Sequence, residues 1–193
     1  MNKTNILLLC GCILLMTGGC LQRDQNITPK PKGYFRLAVP EHEYQKFDTL
    51  LPFTFEYSTA AEISIEEKKR DYWLTLTYPQ LNVTLNMTYM PVNHNFRELV
   101  MEQERFIEFH ISQGKADDVE FSIVQDSALI GKIFELKGKE VATPMQFWLS
   151  DSTTNWLRAS LYFNFVPNND SLRPVIDFLH EDILHLINTF QWK

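Results

Sequence analysis

The chain has 193 residues, 45% of them apolar and 13% aromatic, and a formal net charge of −6 at pH 7. That balance excludes a disordered chain, and with no stretch rich in Lys and Arg it argues against nucleic acid as a partner. The seven glycines fall in neither a GxGxxG nor a GxxxxGK[ST] arrangement, so a nucleotide phosphate cradle is not encoded.

The chain opens with Lys3 and an apolar run from Ile6 to Met16. A span needs ~20 such residues, so this shorter run fits the core of an export signal. Thr17-Gly18-Gly19 then supplies small residues before Cys20. The arrangement resembles a bacterial lipobox, in which the peptidase cuts before the cysteine and the sulfur is acylated. A lipobox usually has Leu where Thr17 stands, and a plain secretory signal is the alternative. Residues 1–19 are thus expected to be a lipoprotein signal peptide, and Cys20 the lipidation site. Residues 20–32, with Pro29 and Pro31, form a tether. From Leu21 to Lys32 it could reach about 40 Å. A single globular domain should occupy residues 33–193. The cysteines are Cys10, Cys12 and Cys20, so a chain cut before Cys20 keeps no free thiol for a disulfide, a nucleophile or a metal.

In chain order, Tyr34–Val39 reads as a strand and Glu41–Pro52 as a loop. Phe53–Tyr57 and Glu62–Ile65 are short strands, and Glu66–Asp71 is a charged turn. Tyr72–Tyr78 and Asn82–Met90 alternate with period two. Val83, Leu85, Met87 and Tyr89 face inward, and Thr84, Asn86 and Thr88 outward. One wet face implies a largely antiparallel sheet.

A helix follows, its start marked by Asn95 and Glu98 as a capping box. Its apolar stripe is Phe96, Leu99, Val100, Phe106, Ile107 and His110, with Gln103 beside it, and Gly114 ends it. Val119–Val124, Leu129–Leu136, Met145–Ser150 and Trp156–Val166 are strands, the last with Leu157, Ala159, Leu161, Phe163 and Phe165 on one face. Pro167–Asp170 turns the chain. Ser171 or Asp170 caps a final helix with Pro174 in its first turn and a stripe of Ile176, Leu179, Ile183, Leu186, Ile187 and Phe190. These elements predict an α+β fold, a largely antiparallel sheet with two packed helices. Their order resembles the PsbP/Mog1-like α/β/α sandwich.

His180, Glu181 and His185 mimic a zinc HExxH motif but miss its spacing. Histidines five apart diverge by ~140° around a helix, whereas the motif's are four apart. On a helical wheel Glu181 and His185 point to solvent and His180 lies at the edge of the stripe. His110 and Gln103 read as satisfied polar groups near the core, with a ligand-facing role if their helix borders a pocket. No GxSxG elbow exists, and Asp151–Asn155 reads as a hairpin turn. The chain is therefore expected not to be an enzyme and to need neither cofactor nor metal.

The segments PKGYFRLAVPEHEYQKFD, PFTFEYS and QFWLSDSTTNWLRASLYFNFVPNNDSLRPVIDFLHEDILHLINTFQW resemble the gliding motility lipoprotein family GldD. The similarity runs from Pro31 to Trp192 and is most specific at the C-terminal block. It implies a lipid-anchored cell-envelope protein on the periplasmic side, needed for gliding motility and linked to type IX secretion. Its partners would be the membrane and other envelope motility or secretion proteins. Asp-Thr49, Asp-Ser127, Asp-Ser152 and Asp-Ser171 look like the O-glycosylation signal of exported proteins in the same bacterial group. The expected partner-binding residues are Asp151 and Asn155 in one turn and Asn168 and Asp170 in the other, because loops on a rigid sheet are where binding function usually sits. The alternative is a periplasmic lipoprotein that binds a small ligand or glycan between sheet and helices.

Overall fold

The computed structural model describes residues 38–68, 71–113 and 116–193. The signal segment, Cys20, the tether, residues 34–37 of the first expected strand and Gly114 lie outside the described residues.

Among the described residues, ten strands and two helices follow in chain order: β1 (Tyr44–Asp48), β2 (Phe53–Ser58), β3 (Glu62–Lys68), β4 (Asp71–Tyr78), β5 (Val83–Pro91), α1 (Phe96–Ser112), β6 (Asp118–Gln125), β7 (Ile130–Lys137), β8 (Met145–Ser150), β9 (Asn155–Phe163), α2 (Asn169–Thr189) and β10 (Gln191–Trp192). Seven strands make one sheet in the order β3-β4-β5-β9-β8-β7-β6, and β1-β2-β10 make a smaller one. Every pairing is antiparallel. The large sheet is two meanders joined by the α1 crossover, which brings β9 against β5. The fold is α+β, as the alternating patterns predict.

Period-two alternation puts Leu74, Leu76, Leu85, Met87, Leu157 and Ala159 on one face of the sheet, all buried. Phe178, Leu179, Ile183, Leu186 and Ile187 of α2 complete that core, together with Phe47, Phe53 and Phe55 of the small sheet. Each such side chain contributes roughly 1.5–3 kcal/mol when fully buried. A second cluster forms where α1 lies on the opposite face, from Leu99, Ile107, Phe134, Leu136, Trp148 and Trp156. Trp148 and Trp156 stack at 4.8 Å between ring centroids.

Several expectations fail for identifiable reasons. Glu41–Pro52 is not all loop, because Tyr44–Asp48 is β1, held in register by β2 with Phe47 opposite Phe55. One buried side chain in a charged segment leaves no alternation to read. Glu66–Asp71 is not a turn of that length. β3 continues to Lys68 and β4 starts at Asp71, so Glu66 and Glu67 are paired strand residues. Ala38 and Val39 are outside any strand.

The capping box is not formed, because the Asn95 carbonyl side chain accepts the Asn93 N–H at 2.8 Å and makes no cap bond. Phe106, expected on the buried stripe, is exposed. β9 ends at Phe163, so Phe165 is off the strand and exposed as well. α2 starts before Ser171 or Asp170 can cap it. Asn168 holds the cap position and its backbone carbonyl accepts from Ser171 and Leu172, which moves Pro174 into the second turn.

Candidate functional site

Three places in the molecule gather polar or exposed side chains. The first begins with Asp182 on the buried stripe of α2, only 2% exposed. A carboxylate there needs donors, since burying a charge alone is expensive. Tyr78 donates to Oδ2 at 3.2 Å and Tyr44 to Oδ1 at 3.2 Å. His42 Nδ1 lies 2.8 Å from Oδ1, and His42 Nε2 lies 2.9 Å from Glu181. Burial first, and the Asp182 charge second, push the Tyr44 hydroxyl up to about 12 and raise Tyr78 well above the usual phenol range.

An Asp–His pair is the orienting half of a general-base arrangement. Here the nitrogen that would take a proton faces Glu181 and not a hydroxyl. The cluster therefore works as a clamp, tying His42 and Tyr44, near the start of the described residues, to α2. His185, expected in solvent, belongs to the same seam. Its ring stacks on Tyr44 at 3.6 Å and its Nε2 meets Glu56 at 2.7 Å. The wheel missed this because the small sheet covers that flank of α2. His180 sits at the stripe's edge as expected, 3.3 Å from Glu135. The two histidines thus diverge to partners on different elements.

The second place is the pair of turns flanking β9. Asp151 accepts the N–H groups of Thr153, Thr154 and Asn155 at 2.8–2.9 Å, and the side chains of Thr154 and Asn155 as well. Burial works to raise its carboxyl, but these hydrogen bonds outweigh it and hold the group well below the usual carboxylate range. Ser152 adopts φ 65° with its N–H on Ser150 Oγ at 2.9 Å, a strained backbone that the cage holds in place. Asn155 also accepts from Tyr89 at 2.9 Å. Asp151 and Asn155 therefore shape this turn, and Ser152, Thr153 and Thr154 are what it exposes.

At the other end of β9, Asn168 and Asp170 are exposed. They adjoin a depression of about 520 Å³ lined by Phe163, Phe165, Val166, Pro167, Lys139 and Glu140. Val166 is 85% exposed there. Of the residues in the Asp-Ser/Thr motif, Thr49, Ser127 and Ser152 are exposed and Ser171 is half-buried in the first turn of α2.

The third place is a groove of about 300 Å³ between α1 and the sheet. Gln103 from α1 and Gln146 from β8, each 2% exposed, meet there, and Gln103 Nε2 donates to Gln146 Oε1 at 3.3 Å. Ser160 donates to the same oxygen at 3.4 Å. His110 lines this groove and a smaller adjoining one of about 180 Å³. Gln103 and His110 thus border a pocket, which fulfils the condition set for them from sequence. Glu104 lies on the outer side of α1, 3.5 Å from Lys132. Gln146 and the sheet residues around it were not singled out from sequence. Within MQFWLS every residue is buried, and a continuous buried run hides which positions face the groove.

Among the described residues no cluster of three or more His, Cys, Asp or Glu could hold a metal ion, and no helix is long and apolar enough to cross a membrane. A family model described as gliding motility lipoprotein GldD matches residues 24–192. No curated protein matches the chain.

Proposed function

Because the chain belongs to the gliding motility lipoprotein GldD family, we propose that it is a lipid-anchored, non-catalytic component of the envelope machinery for gliding and type IX secretion. In this proposal residues 1–19 are removed, Cys20 carries the lipid, residues 20–32 are the tether, and residues 33–193 stand on the periplasmic side. The domain acts by docking other envelope proteins, and the tether raises its effective concentration beside them.

The observation that carries the proposal is the corner between β9 and α2. Exposed Val166 and Phe165 sit beside an open depression, next to the exposed polar ends of Asn168 and Asp170. Apolar side chains rimmed by polar ones are the usual make-up of a protein contact. The Asp151–Asn155 turn is a second, separate contact, with Asp151 and Asn155 acting by holding its shape. Thr49, Ser127 and Ser152 are the accessible positions for O-glycosylation, and Ser171 the least accessible.

The test is complementation of gliding in a strain lacking the protein. Val166→Glu with Asn168→Ala and Asp170→Ala should abolish or strongly reduce spreading while leaving thermal unfolding and membrane attachment unchanged. Full motility of that variant would overturn the proposed contact. Cys20→Ala should stop acyl incorporation, and labelled fatty acid entering that variant would overturn the anchor.

A further inference from the structure

The groove under α1 has a composition that packing does not explain. On α1, Leu99, Gln103 and Ile107 are the buried residues. They are spaced four apart, so Gln103 occupies the middle of an apolar stripe. A leucine there would seal helix against sheet. Instead the sequence places an amide, and opposite it a second amide, Gln146, whose Nε2 reaches Thr143 Oγ1 at 3.5 Å. Buried amides cost free energy unless they are bonded, and the chain Thr143–Gln146–Gln103 with Ser160 fixes their orientation along the groove wall.

The floor continues this chemistry across strands. Register places Thr75, Asn86, Ser160 and Gln146 side by side on β4, β5, β9 and β8. A parallel row runs Trp73, Thr88, Arg158 and Trp148, and a third runs Thr77, Thr84 and Tyr162. An ordinary wet sheet face carries alternating Lys and Glu. Here the only formal charge on β4, β5 and β9 within these rows is Arg158, and Glu102 stands 3.7 Å from it. Acidic residues begin at the edge strand, with Glu62 and Glu66 in register with Thr77 and Trp73. No carboxylate lines the groove itself.

An aromatic face flanks the floor. Phe106, exposed on α1, packs its ring over the Arg158 guanidinium at 5.0 Å. Neighbouring strands lie ~4.8 Å apart, close to the length of one sugar unit in an extended chain.

We infer that this groove, with Gln103, Gln146, Asn86, Thr88, Ser160 and Arg158 as hydrogen-bonding groups and Phe106 as a stacking face, binds an uncharged oligosaccharide. Amides and hydroxyls both donate and accept, which matches vicinal sugar hydroxyls that do the same. Arg158, neutralised by Glu102, contributes a planar set of donors in place of a net charge. The Phe106 face meets the apolar C–H side of a pyranose ring. A peptide would need strand edges or apolar pockets, and an acidic ligand would need unpaired cations. The groove is formed by α1 and the opposite sheet face from α2, so the site does not depend on the β9–α2 contact proposed above.

The test is an NMR titration of the full chain in micelles of a detergent without a sugar headgroup. Cellotetraose, chitotetraose, maltotetraose and xylotetraose are the neutral probes. An oligogalacturonate and a Gly-Ser peptide of similar size are the comparators. Saturable shifts of the Gln103, Gln146 and Asn86 side-chain amides are expected with at least one neutral probe. Phe106→Ala should weaken that binding about tenfold, equivalent to ~1.4 kcal/mol. Asn86→Ala, also exposed, should weaken it in the same direction, and Val166→Glu should leave it unchanged. No shift with any neutral probe at millimolar concentration, shifts only with oligogalacturonate or the peptide, or shifts indifferent to both groove variants would overturn the inference. Loss of gliding in the Val166 variant with intact saccharide binding would separate the two functions.

Discussion

The two faces of the seven-stranded sheet are covered by helices of similar amphipathic pattern and are finished in different ways. α2 buries seven residues, six of them apolar, and its single buried acid has three donors. α1 buries three, and one of these is an amide whose partner is another amide. The α2 face is closed by Leu, Ile and Phe and sealed further by the small sheet. The α1 face stays open along β4, β5 and β9, with polar groups fixed in place. A single sheet thus carries the larger part of its core on one side, and on the other a smaller core beside a polar groove.

The contrast can be broken most forcefully at Leu179, which is fully buried on the α2 face. Leu179→Ala should cost about 4 kcal/mol, and Ile107→Ala on the α1 face about 2 kcal/mol. Urea unfolding of the two variants checks this, and equal losses would remove the asymmetry. Asp182→Leu comes next. It keeps the branching and the number of side-chain heavy atoms but strands Tyr78, Tyr44 and His42, and should cost about 2–3 kcal/mol in the same assay.

A smaller effect is expected at Asp151. Its carboxyl is held below the unfolded value of ~3.9, so its contribution is complete above that pH and is lost as pH falls toward the folded value. Asp151→Asn should lose about 1–2 kcal/mol at neutral pH. It should also show a shallower fall in stability below about pH 4. Parallel acid titrations of wild type and variant would follow this.

These faces were unequally legible in the sequence. β4 and β5 could be read directly, because Leu74, Leu76, Val83, Leu85 and Met87 alternate with polar residues. The α2 stripe was legible for the same reason at helical period. β1 was not, since its one buried residue, Phe47, gains its place only by pairing with β2. β10 is two residues long and exists only because β2 offers an edge. The Asp182 clamp joins side chains more than 100 residues apart, which no local motif can encode. One signal for it was present: Asp182 stands four residues after Phe178 and one before Ile183, an acid among apolar stripe positions. For the groove, Gln103 and His110 could be placed on α1 from the pattern. Their partners Gln146, Ser160 and Arg158 depend on the β5–β9–β8 register, which the α1 crossover creates.

The division between the faces is tested most directly by the unfolding free energy of the Gln103→Leu/Gln146→Leu variant. Replacing both partners of a buried polar pair by apolar groups can be near neutral or stabilising. The double variant should therefore unfold at the same urea concentration as wild type or a higher one, while Asp182→Leu unfolds earlier. A double variant destabilised as much as Asp182→Leu would contradict the account, because the amides would then be part of the core's own structure.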